Sequence, residues 1–327
     1  METVVLKVDP ARPEPGPVGR AAGVIRAGGL VAFPTETVYG LGANALSAEA
    51  VARIFEAKGR PASNPVIVHV SGAAEVPNVA ADWPATAARL AERFWPGPLT
   101  LVVPKGDTVP PIVTANGPTV AVRCPNHPVA LALIRAAGVP IAAPSANRST
   151  ELSPTRAGHV LKGLDGRIHL VLDGGPCPGG IESTVVDVTG DVPRILRPGL
   201  ITAPMLESVC GRVEIGATSE GASRSPGQMA KHYSPRTPVV LASCTKEAFR
   251  LAGSSGVILG FAHPERPPVS WRYRPMSEVP EQCAADLYRM LHQVDAEGWD
   301  RVVVEMPPDT PEWAAVRDRL TRAAARE

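Results

Sequence analysis

The 327-residue sequence contains no uninterrupted apolar run of 18 residues, so no helix is expected to span a membrane. Aromatic residues make up only 4%, too few for an extended base-stacking platform. A net charge of +1 argues against a general nucleic-acid or membrane-surface binder, whose affinity rests on surplus cations, but leaves room for a local cationic pocket. Lysine is scarce, at 6 residues against 27 arginines, a bias that favours planar, two-pronged contacts with anions and that high genomic GC content would also give. Cys124, Cys177, Cys210, Cys244 and Cys283 are odd in number and form no CxxC pair, which argues against a zinc ribbon or a disulfide framework. Five reduced thiols suit a cytoplasmic protein. The opening METVVLKVDPARPEPG lacks the apolar run expected of a signal peptide. Neither a Walker GxxxxGK[ST] loop nor an HExxH metal pair occurs, and no string marks a Ser-His-Asp or Cys-His nucleophile.

The content that remains is that of a globular chain: 44% hydrophobic and 20% charged. At roughly 150 residues per domain, the length predicts two domains. Short apolar runs over 30–33, 66–70, 99–103, 120–123, 141–143, 168–172 and 184–188 read as strands. Helical spacing falls between them, over 47–57, 85–94 and 129–137. The alternation predicts an α/β fold with a sheet of about seven strands. Between Gly211 and Pro238 large apolar residues become rare, and the segment reads as a linker. A second alternation then runs strand 239–242, helix 245–252, strand 256–261, a helix from near Glu281, strand 301–306 and helix 312–325, a small three-layer domain.

Several polar strings sit at the ends of these strands, where ligands gather in open α/β sheets. In Phe33-Pro-Thr-Glu-Thr-Val-Tyr-Gly-Leu-Gly-Ala-Asn-Ala45 a strand runs into a hydroxyl-rich turn and a glycine pair. Gly40 and Gly42 fit GxGxxA, but nothing acidic lies between Glu56 and Glu75 to hold a ribose, so a dinucleotide fold is not expected. The glycines are expected to shape a tight strand-to-helix turn, which leaves Thr35, Glu36 and Thr37 unexplained. Lys58-Gly-Arg-Pro-Ala-Ser-Asn-Pro65 places two cations on a stiff loop. That suits polyphosphate, and it equally suits a solvated helix C-terminus. Arg123 ends one strand, Ala142-Ala-Pro-Ser-Ala-Asn-Arg-Ser-Thr150 follows another, Gly179-Gly-Ile-Glu-Ser-Thr-Val185 leads into a third, and Arg197 precedes a rigid Pro-Gly turn. Together these loops predict one ligand cleft, although each alone reads as a satisfied turn. His69 and His169 fall in strands, where a lone histidine is first a structural residue. Ser225-Pro-Gly-Gln-Met-Ala-Lys-His-Tyr-Ser-Pro235 carries Lys231, His232 and Tyr233 within the linker. The string fits a Pro-stiffened hinge, and it also fits a flap that folds over a cleft and excludes water.

Taken in order, FPTETVYGLGANA, KGRPASNPVIVHV, FWPGPLTLVV, VAVRCP, APSANRS, GGIESTVVDV, ILRPG and SPGQMAKHYSP resemble the two-domain threonylcarbamoyl-AMP synthases, with an N-terminal YrdC-like domain. The resemblance covers most of residues 20–236. It implies an open, twisted, mixed sheet with helices over residues 1–207, a linker at 208–236 that closes over the active site, and a small Rossmann-like α/β domain at 237–327. It implies a nucleotidyltransferase that makes L-threonylcarbamoyladenylate and pyrophosphate from L-threonine, bicarbonate (or CO2) and ATP with Mg2+, through no known metal ligand. The product would pass to a tRNA threonylcarbamoyl transferase complex for modification of the adenosine beside the anticodon, with weak RNA contact as a further expectation. Threonine contacts would fall on Thr37, His69, Arg123, the backbone of Ala143, and Ser183. ATP contacts would fall on Lys58, Arg60, Asn64, Thr119, Ser145, Asn147, Ser153, Arg197 and Tyr233, with Lys58 and Arg60 carrying catalysis. Two rival readings are a double-stranded RNA or tRNA-binding module and a transferase that starts from carbamoyl phosphate.

Overall fold

The structure, a computed structural model, describes residues 2–216, 233–251, 256–262 and 271–325. Its first part runs β1 (Val4–Lys7), α1 (Pro15–Arg26), β2 (Val31–Phe33), β3 (Gly40–Asn44), α2 (Ala48–Lys58), β4 (Ile67–His69), α3 (Ala85–Phe94), β5 (Leu99–Pro104), β6 (Thr119–Arg123), α4 (Pro128–Ala137), β7 (Ile141–Ala142), α5 (Ala157–Leu164), β8 (Leu170–Asp173), β9 (Thr184–Asp187), β10 (Arg194–Arg197), α6 (Ala203–Cys210) and β11 (Glu214–Ile215). The strands join in one mixed sheet in the order β1-β8-β2-β3-β7-β4-β6-β5-β9-β10-β11. The second part runs β12 (Val239–Ala242), α7 (Thr245–Leu251), β13 (Gly256–Gly260), β14 (Trp271–Pro275), α8 (Pro280–Glu297), β15 (Val302–Glu305) and α9 (Ala314–Ala324). Its four strands are all parallel, in the order β12-β15-β13-β14.

Side chains of a strand alternate between faces, and here each face has its own core. Ala32 of β2 joins a large cluster with Val51, Ile54 and Leu90 from α2 and α3. Its neighbours Val31 and Phe33 join a second cluster with Ile25 of α1 and Leu133 of α4. Helix boundaries follow local chemistry. Ser47 accepts a hydrogen bond from the Ala50 N–H at 3.1 Å to start α2, and Gly59 ends it at φ 61, in the left-handed region glycine adopts without strain.

The α/β class and the mixed sheet agree with the expectation, but among the described residues the sheet has eleven strands rather than about seven. The tight turn expected at Gly40 and Gly42 is a strand, β3. A Cβ on Gly42 would lie 2.8 Å from both Ile141 and the Phe33 ring, so glycine is needed for close strand packing rather than for a turn. The second domain has a fourth strand, β14, and β11 of the large sheet lies inside the segment read as linker. Lys231 and His232 fall outside the described residues.

The two domains meet through one apolar cluster. Val38, Leu152 and Ile181 of the first pack with Leu287, Tyr288 and Leu291 of α8 and with Leu320 of α9, and Tyr233 lies among them.

Candidate functional site

Strand register assembles the site's floor. His69 in β4 pairs with Arg123 in β6, and Arg123 pairs with Thr100 in β5. The period of two turns all three side chains to one face, while Val68, Val122 and Leu101 point into the core behind. Arg123 and His69 are both buried. Nδ1 of His69 and Nε of Arg123 have no hydrogen-bond partner among the described residues, as suits atoms reserved for a ligand. Burial and then the neighbouring Arg123 charge push the His69 pKa down to about 3, so its ring is neutral at ordinary pH.

The loop after β2 supplies the first wall. Thr35 Oγ1 donates to the Val38 carbonyl at 2.7 Å and accepts from the N–H groups of Thr37 and Val38, which holds a tight turn. The hydroxyls of Thr35 and Thr37 lie 2.8 Å apart, Arg123 Nη2 donates to Thr37 Oγ1 at 2.9 Å, and its ion pair with Glu36 spans 2.7 Å.

The cations form the second wall. Arg60 donates from Nε to the Asn64 carbonyl at 3.3 Å and from Nη2 to the Pro65 carbonyl at 2.9 Å, which points its guanidinium into the hollow. Arg197 donates from Nε and Nη2 to the Ser183 carbonyl at 3.1 and 3.0 Å, and reaches Ser183 Oγ at 3.2 Å. Burial, with the Arg197 charge adding to it, lowers the Arg60 pKa to about 10. Gathering like charges away from water is costly, and an anionic ligand offsets the cost.

The hollow between these walls measures about 40 Å3 and is lined by Thr37, His69, Arg123, Ala143, Arg60, Ser145, Arg197 and Tyr233 of the expected set, together with Thr35, Val38 and Glu182. Tyr233 lies 3.5 Å from Arg197 Nη1 through its hydroxyl, and its φ of 59 is a strained value for a bulky residue. A roomier hollow of about 760 Å3 in the second domain carries Glu278 and Glu305 against Arg317, the one cation among its described lining residues, a poor match for polyphosphate.

The other expected residues stand behind this lining. Lys58 is 1% exposed, which overturns the solvated helix end. Its Nζ donates to the Ser145 carbonyl at 2.6 Å and to the Asn147 carbonyl, so it braces the loop after β7. Burial first, and then the Arg60 charge, hold its pKa well below the usual lysine range. Asn147 Nδ2 donates to the Arg148 and Glu151 carbonyls at 2.8 Å, and Ser183 Oγ meets Thr100 Oγ1 at 2.8 Å. Ser153 Oγ bonds Glu182, Asn64 is buried beside Arg60, and Thr119 opens β6 opposite Pro104. His169 lies just before β8 and accepts from the Leu30 N–H at 3.1 Å, a structural role. Sequence reasoning did not single out Glu182, although GGIEST places it beside Ser183.

Among the described residues, no three His, Cys, Asp or Glu side chains gather as a metal site. The two carboxylates closest to the hollow, Glu36 and Glu182, are paired with Arg123 and Arg319. The described residues do not form a carboxylate cage for Mg2+.

Residues 23–199 match the family described as "Telomere recombination", and residues 201–325 match the family "Threonylcarbamoyl-AMP synthase, C-terminal domain". The threonylcarbamoyl-AMP synthase of Pyrococcus abyssi is 40% identical, over 98% of this chain and 98% of its own length. That of Bacillus subtilis is 42% identical, over 94% of this chain and 92% of its own. The crystal structure of P. abyssi Sua5 complexed with L-threonine superposes with a TM-score of 0.91 at 40% identity, over 98% of both chains.

Proposed function

The chain belongs to the threonylcarbamoyl-AMP synthase family, and from that premise we propose that it joins L-threonine, bicarbonate and ATP into L-threonylcarbamoyladenylate, releasing pyrophosphate. The observation that carries this reading is the convergence of Arg60, Arg123 and Arg197 with the Thr35 and Thr37 hydroxyls and a neutral His69 on one hollow.

Two bonds form in the reaction. The deprotonated α-amine of threonine attacks the inorganic carbon, making the C–N bond of a carbamate and releasing water when bicarbonate is the donor. A carbamate oxygen then attacks the α-phosphorus of ATP, and the bond to the β-phosphate breaks with pyrophosphate leaving. Both partners in the second step are anionic. Fixed cations in a water-poor site offset their repulsion and stabilise the leaving group. Arg123, steered by Glu36 and Thr37, faces the amino acid, and Ala143 and Ser183 border that end. Arg60 and Arg197 face the phosphates, with Lys58, Asn64, Thr119, Ser145, Asn147 and Ser153 shaping the loops that hold them. Mg2+ bound to the triphosphate would take that group's own oxygens as ligands and would offset its charge, in keeping with the lack of a carboxylate cage among the described residues. The carbamate is labile in water, so a roof over the hollow protects it. A hollow of about 40 Å3 is too small for a nucleotide, so Tyr233 must swing aside for ATP to enter and then close over it as the roof. The reaction belongs in the cytoplasm, where ATP, threonine and tRNA occur together, and its product feeds a tRNA threonylcarbamoyl transferase complex.

Mass spectrometry of the full chain with ATP, Mg2+ and threonine tests this reading. The expected product is the threonylcarbamoyl adenylate, dependent on bicarbonate and on threonine. An adduct formed only from carbamoyl phosphate would assign the chain to carbamoyl transfer instead. Salt-sensitive RNA binding with no threonine-dependent cleavage of ATP would make it an RNA-binding module.

A further inference from the structure

Glu182 puts a negative charge on the wall of a hollow otherwise built for anions. It is 6% exposed and lines the cavity one residue from Ser183, whose carbonyl anchors Arg197. Left alone, such a carboxylate repels a triphosphate and competes with it for Arg197. The second domain answers this charge. Arg319 of α9 donates from Nε to Glu182 Oε2 at 2.7 Å, and Tyr288 of α8 donates its hydroxyl to the same oxygen at 3.2 Å. From the first domain, the Ser153 hydroxyl bonds the other oxygen. The Arg319 side chain is fully buried, and its second arm meets Asp318 at 2.6 Å, which Arg322 in turn pairs at 3.0 Å. The Arg319 guanidinium also lies 5.1 Å from the centre of the Tyr233 ring, and the Tyr288 ring lies 5.8 Å away on its flank. Burial raises the Glu182 pKa, but Arg319 and then Arg197 outweigh it and keep the carboxylate ionised.

We propose that Arg319 is a positioning residue through which the second domain prepares the ATP site: it neutralises Glu182, so that this carboxylate neither repels the phosphates nor draws Arg197 from them, and it supports Tyr233 as the roof. The inference rests on the reading that this hollow takes ATP. It gives the second domain a part in nucleotide binding that reaches the site through one buried ion pair.

The test compares ATP binding by calorimetry, without threonine, for the full-length chain and the variants Arg319→Met, Glu182→Gln and Glu182→Gln/Arg319→Met. Steady-state KM values for ATP and for threonine are measured alongside. Arg319→Met is expected to weaken ATP binding by about tenfold or more, the scale of losing one charge-balancing group. The KM for threonine should stay within about twofold. The double variant buries neither charge and should return ATP binding to within about threefold of the parent, while the KM for threonine, which a general loss of packing would raise as well, stays unchanged in every variant. ATP binding unchanged in Arg319→Met overturns the proposal, as does a folded double variant that binds as weakly as the single one. Should Arg319→Met fail to fold, the double variant decides alone. A parent chain that binds no ATP would sink the underlying reading of the hollow. A parent that binds ATP but makes no adenylate would sink the proposed reaction and leave the role of Arg319 standing.

Discussion

Arg123 donates from Nη2 to the hydroxyl of Thr37 at 2.9 Å, joining the end of β6 to the turn after β2 across 86 positions of sequence. The contact fixes the arginine where β4 and β5 already confine it. Removing the guanidinium takes away a charge-assisted donor worth about 1.5–3 kcal/mol. Arg123→Ala is therefore expected to raise the KM for threonine by about 10- to 100-fold, and Thr37→Val by less, with the KM for ATP within about threefold. Steady-state kinetics with each substrate varied in turn measures the split.

Lys58 and Arg60 separate under substitution, because they do different work. Arg60→Ala removes a cation that faces the hollow, and turnover should fall by more than about tenfold, with a smaller cost in stability because the Asn64 and Pro65 carbonyls lose a donor while the repulsion from Arg197 is relieved. Lys58→Ala should lower turnover comparably, and it should also cost about 1–3 kcal/mol of stability, since the Ser145 and Asn147 carbonyls lose a buried donor. Pyrophosphate release and chemical denaturation of the two variants distinguish these roles.

Acid should destabilise the folded chain through its buried neutral histidines. The His69 pKa falls to about 3 from an ordinary 6.5, with burial and Arg123 as the causes. Between those values the unfolded chain binds a proton that the folded chain does not. Its contribution is thus fully present above about pH 6.5 and is lost as pH falls toward 3, by about 1.4 kcal/mol per pH unit at most. His159 and His292 stack at 3.8 Å across the domain boundary, and burial lowers both pKa values. Their protonation acts in the same direction, against Lys162 and Arg156 and partly eased by Asp295. Unfolding midpoints from pH 7 down to 4 check the trend, and His69→Gln should flatten it.

Gly180 sets how closely the domains dock. Its φ is 75, and a Cβ there would lie 2.4 Å from the Ala284 carbonyl oxygen and 2.5 Å from the Ala285 Cα, both backbone atoms of α8. Backbone cannot yield as a flexible side chain does, so Gly180→Ala should cost about 1–3 kcal/mol and loosen the second domain. Limited proteolysis should cut the chain between the domains faster than in the parent.

Much of the first domain is legible because its strands are buried on both faces. Val66 to Val70 and Leu99 to Val103 stand out as apolar runs, and α2 shows its cap, its periodicity and its terminal glycine. Other elements are hidden by composition. In β3, glycines needed for close packing imitate a turn. In α1, Pro-Gly-Pro-Val-Gly-Arg-Ala-Ala-Gly-Val-Ile-Arg has weak helix propensity, and only its burial against the sheet makes it a helix. The site divides the same way. Thr37, Arg60 and Arg123 lie in polar strings at strand ends, where a ligand is anticipated. Arg319 is one arginine among several on an amphipathic helix, and nothing local marks it as the partner of Glu182, 137 positions away. That pairing exists only once the two domains dock.

The most direct test is a crystal structure of the full chain with L-threonine and a non-hydrolysable ATP analogue bound together. The account predicts threonine against Thr37 and Arg123, phosphates against Arg60 and Arg197, Tyr233 closed over the nucleotide, and the threonine nitrogen facing the α-phosphate across a gap that one carboxyl group fills. Threonine and nucleotide found in separate cavities, with the Arg60–Arg197 wall touching neither, would contradict it.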